Sequence, residues 1–308
     1  MAGKFGLLNG LKSRASVLIK YPAMNALRGV PRPTVQGEEA QIEIARQIGI
    51  AGQLVARIGA TEGKTLEHYL VHRVARAVPI PYPDAIRLEV KKHSGYFPTE
   101  DAALDRFVRL YLADIPAIDV YAAWTRYDRR LSRGAPVKVR LFDLDPFFTQ
   151  NRWTLALAGK RVTIVSPFRD TILRQYERRE ALFATPTLPP FELAVVQAPQ
   201  TNVGTDVTGQ DWFALLAQLD GEVAASQADV VITGAGGYGF PLAARAAERG
   251  SAAVVLGGAT QLLFGIAGQR WLNDPQYRAI MTGAWTRPAE SERPRGFDNL
   301  EIAGGAYW

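Results

Sequence analysis

The chain has 308 residues, 47% of them hydrophobic and 21% charged, a balance that suits a globular protein with an ample core. Cysteine is absent, which excludes disulfides, thiolate metal sites and a cysteine nucleophile. Six cations (Lys4, Lys12, Arg14, Lys20, Arg28 and Arg32) precede the first acidic residue, Glu38, and equal the whole formal charge of +6, so the remaining body is neutral and no nucleic-acid partner is expected.

Leu7, Leu8, Leu11, Ala15, Leu18 and Ile19 recur at helical spacing, with Lys4, Lys12 and Lys20 elsewhere on the wheel. Residues 4–20 therefore suit either an anionic membrane surface or a docking face on the same protein or a subunit. The linker Gly29–Gly37 closes this basic arm, residues 1–37. No apolar run approaches the roughly 18 residues that span a bilayer, and no secretory signal is evident. The expected location is the cytoplasm, with peripheral contact at the inner face of the membrane left open.

Residues 38–308 read as one α/β domain with halves of about 38–150 and 151–308. Glu38–Gly49 is predicted helical and Gln53–Ile58 a strand, with Thr61 or Thr65 capping a helix that runs toward Arg76. Val78–Asp84 is a proline-rich connection. Asp101–Ala113 predicts a helix, Ile118–Ala122 a strand, Trp124–Leu131 a helix and Val137–Phe142 a strand. Strands follow at Arg161–Ser166, Glu192–Gln197, Val230–Thr233 and Ala252–Leu256. Helices follow at Thr171–Phe183, at Asp211–Ser226, and from Pro241 to Gly250. Strands alternating with helices predict a Rossmann-like, mainly parallel sheet with helices on both faces. Ligands of such sheets lie beyond the carboxyl ends of the strands. That rule collects Arg57–Glu62, Pro167–Asp170, Gln197–Gln200, Gly234–Gly239 and Gly257–Gln261 on one rim.

Gly234-x-Gly236-x-x-Gly239 opens a predicted helix, where free backbone N–H groups favour an anion. The spacing matches the dinucleotide fingerprint only in part. The next strand ends Leu256-Gly257-Gly258-Ala259, without the carboxylate that would hold a ribose, so no NAD is expected. Alternatively, the glycines only permit close packing of strand on helix. Gly237 and Tyr238 in the first turn, and Gly257, Gly258, Thr260 and Gln261 in the second, complete the candidate ligand loops.

Glu62, just past a predicted strand, is placed to act as a base or a donor-site ligand. Asp143 and Asp145 form an Asp-x-Asp, a pattern that can hold Mg²⁺ or Mn²⁺ through hard oxygen ligands, and Asp145 is also a candidate catalytic carboxylate. Arg169 is suited to forked hydrogen bonds with a phosphate. His68 and His72 lie four apart without an evident third ligand, and His93 is an acid–base candidate in a loop. No Gly-x-Ser-x-Gly elbow and no P-loop occur.

Ser94–Pro98 (SGYFP), the Trp124 region and Leu155–Arg179 together resemble bacterial proteins encoded among polysaccharide-biosynthesis genes. So do GAGGYGFPLAARAAERG, GGATQLLFGIAGQRW and the ending GGAYW. The resemblance covers most of residues 50–308 and extends to the GT-D type of glycosyltransferase domain, a Rossmann-like fold that takes a sugar from a nucleotide donor. The GT-D motif Arg-Phe-Gly-Asp-Gly-Glu corresponds here to Arg57, Ile58, Gly59, Ala60, Thr61 and Glu62. The glutamate is kept, while Ala60 stands where the motif has aspartate. The resemblance implies transfer from a nucleotide-sugar donor to a glycan or lipid-linked acceptor in cell-surface polysaccharide biosynthesis. An NAD(P)-dependent oxidoreductase or epimerase, and a non-catalytic Rossmann-like scaffold, are the alternatives.

Overall fold

The computed structural model describes residues 29–201, 210–294 and Tyr307, and the arm read over residues 4–20 lies outside them. Seven strands form a single sheet, all parallel: β1 (Leu54–Ala56), β2 (Val120–Ala123), β3 (Val137–Arg140), β4 (Arg161–Ser166), β5 (Glu192–Gln197), β6 (Val230–Thr233) and β7 (Ala252–Val255). Their order is β3-β2-β1-β7-β6-β4-β5. The α/β class and the Rossmann-like parallel sheet are as the alternation of elements predicts. Both halves of the chain build this sheet, which is joined where β1 pairs with β7, Val55 opposite Val254.

The strands are apolar on both faces because helices cover both. Along β6, Val231 enters the core on one face and Val230 and Ile232 the core on the other. The first core is closed by α4 (Asp101–Asp114), α7 (Trp212–Ala225) and α8 (Gly239–Glu248). Helix α4 buries Leu104, Phe107, Val108 and Tyr111, the spacing of one helical face. The second core holds α1 (Glu38–Ile48) and α6 (Arg169–Glu177) around Trp153 and Phe264. Helix α1 starts with Glu38 and Glu39 and ends near Arg46, charges that oppose its dipole correctly.

The chain leaves β4 through α6 on one face toward β5, and leaves β6 through α8 on the opposite face toward β7. Right-handed crossovers require this when neighbouring strands send the chain in opposite directions. The carboxyl ends of β4 and β6 thus form a switch point, where open α/β sheets leave a crevice.

Several boundaries differ from expectation. Helix α2 (Ala60–His68) is capped by Gly59, not by Thr61 or Thr65, and the Thr65 hydroxyl instead donates to the Thr61 carbonyl at 2.8 Å. After β2, only α5 (Asp128–Leu131) is helical, because Asp128 accepts from the backbone of Trp124 and Thr125 at 2.8 and 2.6 Å and turns that stretch into a loop. Helix α6 stops at Glu177, short of Phe183. A helix, α3 (Asp84–Glu89), follows the proline-rich connection.

Candidate functional site

A cavity of about 620 Å³ opens at the carboxyl ends of the strands. Its walls come from every stretch the topology rule collected, by way of Arg57, Glu62, Pro167, Gln200, Gly234 and Gly257, among others.

Arg57 follows β1 directly. Its guanidinium lies over the Trp124 ring, 5.3 Å from the ring centre, and Trp124 is itself held by a 2.8 Å hydrogen bond from its Nε1 to the Ile58 carbonyl. A side-chain carbon at Gly257 would come within 3.0 Å of this guanidinium, so the glycine, at φ +63°, gives Arg57 its place. Among the described residues Arg57 has no ion pair and no hydrogen bond to a protein group. A cation stacked on an aromatic face and without a direct carboxylate partner among the described residues can pair with an anion.

Glu62 lies in the first turn of α2, 7% exposed, and lines the same cavity. Its carboxylate folds back over Gly59, where a side-chain carbon would stand 1.8 Å from Oε2. It likewise has no hydrogen-bond or ion-pair partner among the described residues. Gly59, a candidate ligand residue by sequence, therefore has a spatial role: it makes room for this carboxylate.

Asp145 also lines the cavity, and burial pushes its pKa up to about 7. The Tyr277 hydroxyl donates to Oδ2, and the charges of Arg270 and Arg57 act on the group, but burial outweighs all three. A carboxyl half-protonated near neutrality can give or take a proton. The backbone leading to it is pinned twice: Gln41 Nε2 on α1 donates to the Asp143 carbonyl at 2.7 Å and to the Asp145 carbonyl at 3.4 Å, and Trp153 Nε1 donates to the Leu144 carbonyl at 2.8 Å.

Asp143 is not brought to the cavity. Both its oxygens are occupied, Oδ2 by the Arg140 backbone N–H and Nε at 2.9 Å, Oδ1 by the Gly37 N–H at 3.0 Å and Arg140 Nη2 at 2.5 Å. The two aspartates of the Asp-x-Asp thus turn to different partners, and they do not fit a shared Mg²⁺ or Mn²⁺. Among the described residues no three His, Asp or Glu side chains converge on a metal-sized space. His68 and His72 meet ring to ring at 4.9 Å, with His68 packed on Tyr82, and burial lowers the His68 pKa.

Arg169 is exposed at the start of α6 and does not line the cavity. The anion-favouring end of that helix is already filled. Asp170 and Thr171 N–H groups donate to Glu292 Oε1 at 2.7 and 3.2 Å, and the Thr171 hydroxyl donates to Oε2. Gln175, farther along α6, spends its Nε2 on the Gly265 and Ala284 carbonyls.

The first glycine turn is packed more tightly than a ligand alone requires. A side-chain carbon at Gly234 would meet Thr260 Oγ1 at 2.6 Å and the Gly257 carbonyl at 2.7 Å; one at Gly237 would meet the Ser94 carbonyl at 2.8 Å. Gly236 sits at φ +53°, a conformation glycine adopts without strain. Beneath the turn, the Tyr238 ring stacks on Trp212 at 4.7 Å, and the Tyr111 hydroxyl donates to the Gly237 carbonyl at 2.7 Å. Close packing thus explains Gly237 and part of Gly234. Gly234, Gly236, Tyr238 and Gly239 still line the cavity, as do Gly257, Gly258, Thr260 and Gln261 across from them.

Sequence reasoning passed over Ser94, Thr233, Arg270 and Tyr277 as site residues, though all four line the cavity. Thr233 ends a predicted strand on the rim, a position the topology rule could have flagged. Arg270 and Tyr277 carry no local signal, because only the folding of residues 260–294 back over the sheet brings them there. Comparison with protein-family models, curated proteins and solved structures finds no match to this chain.

Proposed function

We propose that the chain is a glycosyltransferase that takes a sugar from a nucleotide-sugar donor bound in this cavity. The observation that carries the reading is a guanidinium, Arg57, and a carboxylate, Glu62, that line one cavity and are both unpartnered among the described residues. Opposite charges in a shared cleft normally find partners within the protein, and leaving both open reserves them for ligand and reaction.

In the proposed reaction the donor diphosphate lies against Arg57, with Arg270 as a second cation at the cavity wall. Glu62 takes the proton of an acceptor hydroxyl. The new bond forms between that oxygen and the anomeric carbon, the bond to the diphosphate breaks, and its electron pair leaves with the diphosphate. Arg57 strengthens its hold as the leaving group gains charge, which is catalysis by electrostatic complementarity. Asp145 is placed as a neutral or ionised carboxyl, according to pH, beside the same ligand. No step runs through a metal. A glycan or lipid-linked acceptor and a role in cell-surface polysaccharide assembly rest on the sequence resemblance, and a position at the membrane rests on the amphipathic spacing of residues 4–20.

Thermal-shift screening against nucleotide sugars, nucleoside diphosphates and NAD(P) tests the reading. A native-state ligand at a hundred times its Kd adds about 2.7 kcal/mol of stability, a readily measured rise in Tm. The expected hit is a nucleotide sugar, followed by transfer to an acceptor. Stabilisation by NAD(P) alone would transfer the site to an oxidoreductase, and binding without turnover across donors and acceptors would point to a scaffold.

A further inference from the structure

The floor of the cavity carries a second, uncharged set of unpartnered groups. Thr233 Oγ1, Thr260 Oγ1, Ser94 Oγ and Gln261 Oε1 are all buried and have no hydrogen-bond partner among the described residues, and all four residues line the cavity. Each is 2% exposed or less. The three hydroxyl residues gather around one turn, and Gln261 follows Thr260 in the chain. Thr260 Oγ1 lies 2.6 Å from where a side chain at Gly234 would begin, and Thr233 Oγ1 lies 3.2 Å from the same point on Gly239. Ser94 abuts Gly236 and Gly237 through its carbonyl. Buried polar groups are ordinarily paired, so four orphans at one place mark a position completed from outside the protein.

Their chemistry restricts what can complete them. The Gln261 Nε2 donates to the Ile266 carbonyl at 3.0 Å and to the Tyr307 carbonyl at 3.4 Å. Reversing the amide would set oxygen against two carbonyls, so Oε1 is the free end and it can only accept. The doubly esterified diphosphate of a nucleotide sugar is fully ionised near neutral pH and offers no donor. Hydroxyls of serine and threonine can either give or receive.

From this we infer that the floor between the Gly234 turn and Thr260 is a subsite for an uncharged, hydroxyl-bearing moiety, a sugar ring or ribose, and that the diphosphate belongs at Arg57 and not in the glycine turn. The assignment rests on the nucleotide-sugar reading and sharpens it. It divides the cavity into a cationic wall that holds charge and a hydroxyl floor that reads sugar stereochemistry. Sites that pair ligand hydroxyls in this way discriminate strongly, because a ligand lacking the group leaves buried atoms unpaired.

The test uses the full chain with Thr233→Val and Thr260→Val, singly and together, since valine keeps the shape and removes only the hydroxyl. Without ligand, the variants are expected to match or exceed the wild-type Tm, because the hydroxyls serve no partner among the described residues. A lower Tm in both would make them part of the fold and overturn the inference. Isothermal titration with UDP-glucose and UDP-N-acetylglucosamine is expected to show about a tenfold weakening per lost hydroxyl pair, with inorganic pyrophosphate affinity unchanged. Equal weakening of pyrophosphate would place the charged group on the floor and overturn it. Should wild type bind no nucleotide sugar or pyrophosphate, the glycosyltransferase reading fails separately. Free glucose, N-acetylglucosamine and ribose at millimolar concentration then probe the floor directly. Protection of wild type by any of them, lost in the double variant, supports the subsite, and no protection by any overturns it.

Discussion

The Arg57 guanidinium lies 5.3 Å from the centre of the Trp124 ring, and the same guanidinium would be only 3.0 Å from a side-chain carbon at Gly257. The segments that follow β1, β2 and β7 each contribute one of these three residues. Because β1 lies between β2 and β7 in the sheet, the cation is fixed by the two neighbours of its own strand. Arg57→Ala is expected to leave ligand-free stability unchanged and to weaken nucleoside diphosphate binding about ten- to a hundredfold, the value of a hydrogen bond to a charged group. Arg57→Lys is expected to recover part of that loss at most, since the planar fork and its stacking are gone. Isothermal titration of the three proteins checks the order, and equal affinities would remove Arg57 from the site.

Gly59 and Glu62 form a second such pair, with 1.8 Å between a prospective side-chain carbon and the carboxylate oxygen. Gly59→Ala is expected to displace Glu62 with little cost in stability, because the obstructing atom is the end of a flexible chain. Glu62→Gln keeps the size and removes the base. Both are expected to lower transfer by about a hundredfold or more while donor binding persists, the usual contribution of a general base. Full turnover in Glu62→Gln would exclude it as the base.

Asp145 imposes a pH dependence on stability whose sign follows from its shift. The folded carboxyl holds its proton up to about pH 7, against 3.8 for the ordinary value, with burial the main cause. The folded state therefore binds more protons than the unfolded state in that interval. This group's contribution is full below about pH 4 and is lost as pH rises toward 7, by at most about 4 kcal/mol. Asp145→Asn removes the ionisation. Its denaturant-derived stability, relative to wild type, is expected to rise steadily between pH 4 and 7 and to level off above. Parallel curves would contradict a buried, late-ionising carboxyl.

Asp143 makes the opposite case. Its carboxylate is sealed by Arg140 and Gly37, so Asp143→Ala leaves Arg140 without its partner in a mostly buried setting. The expected cost is about 3–5 kcal/mol in chemical denaturation. Transfer per folded molecule is expected to be unchanged. A normal unfolding midpoint with abolished activity would return Asp143 to the reaction.

Much of the fold was legible because its elements announce themselves locally. Arg161–Ser166, Glu192–Gln197 and Val230–Thr233 are apolar runs bounded by polar or glycine turns, and the strands match those limits. Trp124–Thr125 departs from the expected helix because its loop depends on Asp128 reaching back to two amides, a contact that periodicity does not encode. The rim was legible as well, since parallel topology assigns every strand's carboxyl end to one side.

Within the rim, the chain's own residues decided less. Local sequence determined that Arg57, Glu62 and the glycine turns stand at strand ends, because strand limits and helix starts are short-range properties. Which of them are free for a ligand was decided only by tertiary structure, because partnership is a long-range matter. Asp143 and Asp145 are equivalent in sequence, yet Arg140 and Gly37 engage one, and burial beside Tyr277 keeps the other protonated toward neutrality. Arg169 and Arg57 both follow strands, but the segment carrying Glu292 folds onto the helix beginning at Arg169 and leaves Arg57 open. Ser94, Thr233 and Thr260 are ordinary residues in the sequence, and their orphaned hydroxyls come together only where three separate segments of the chain meet.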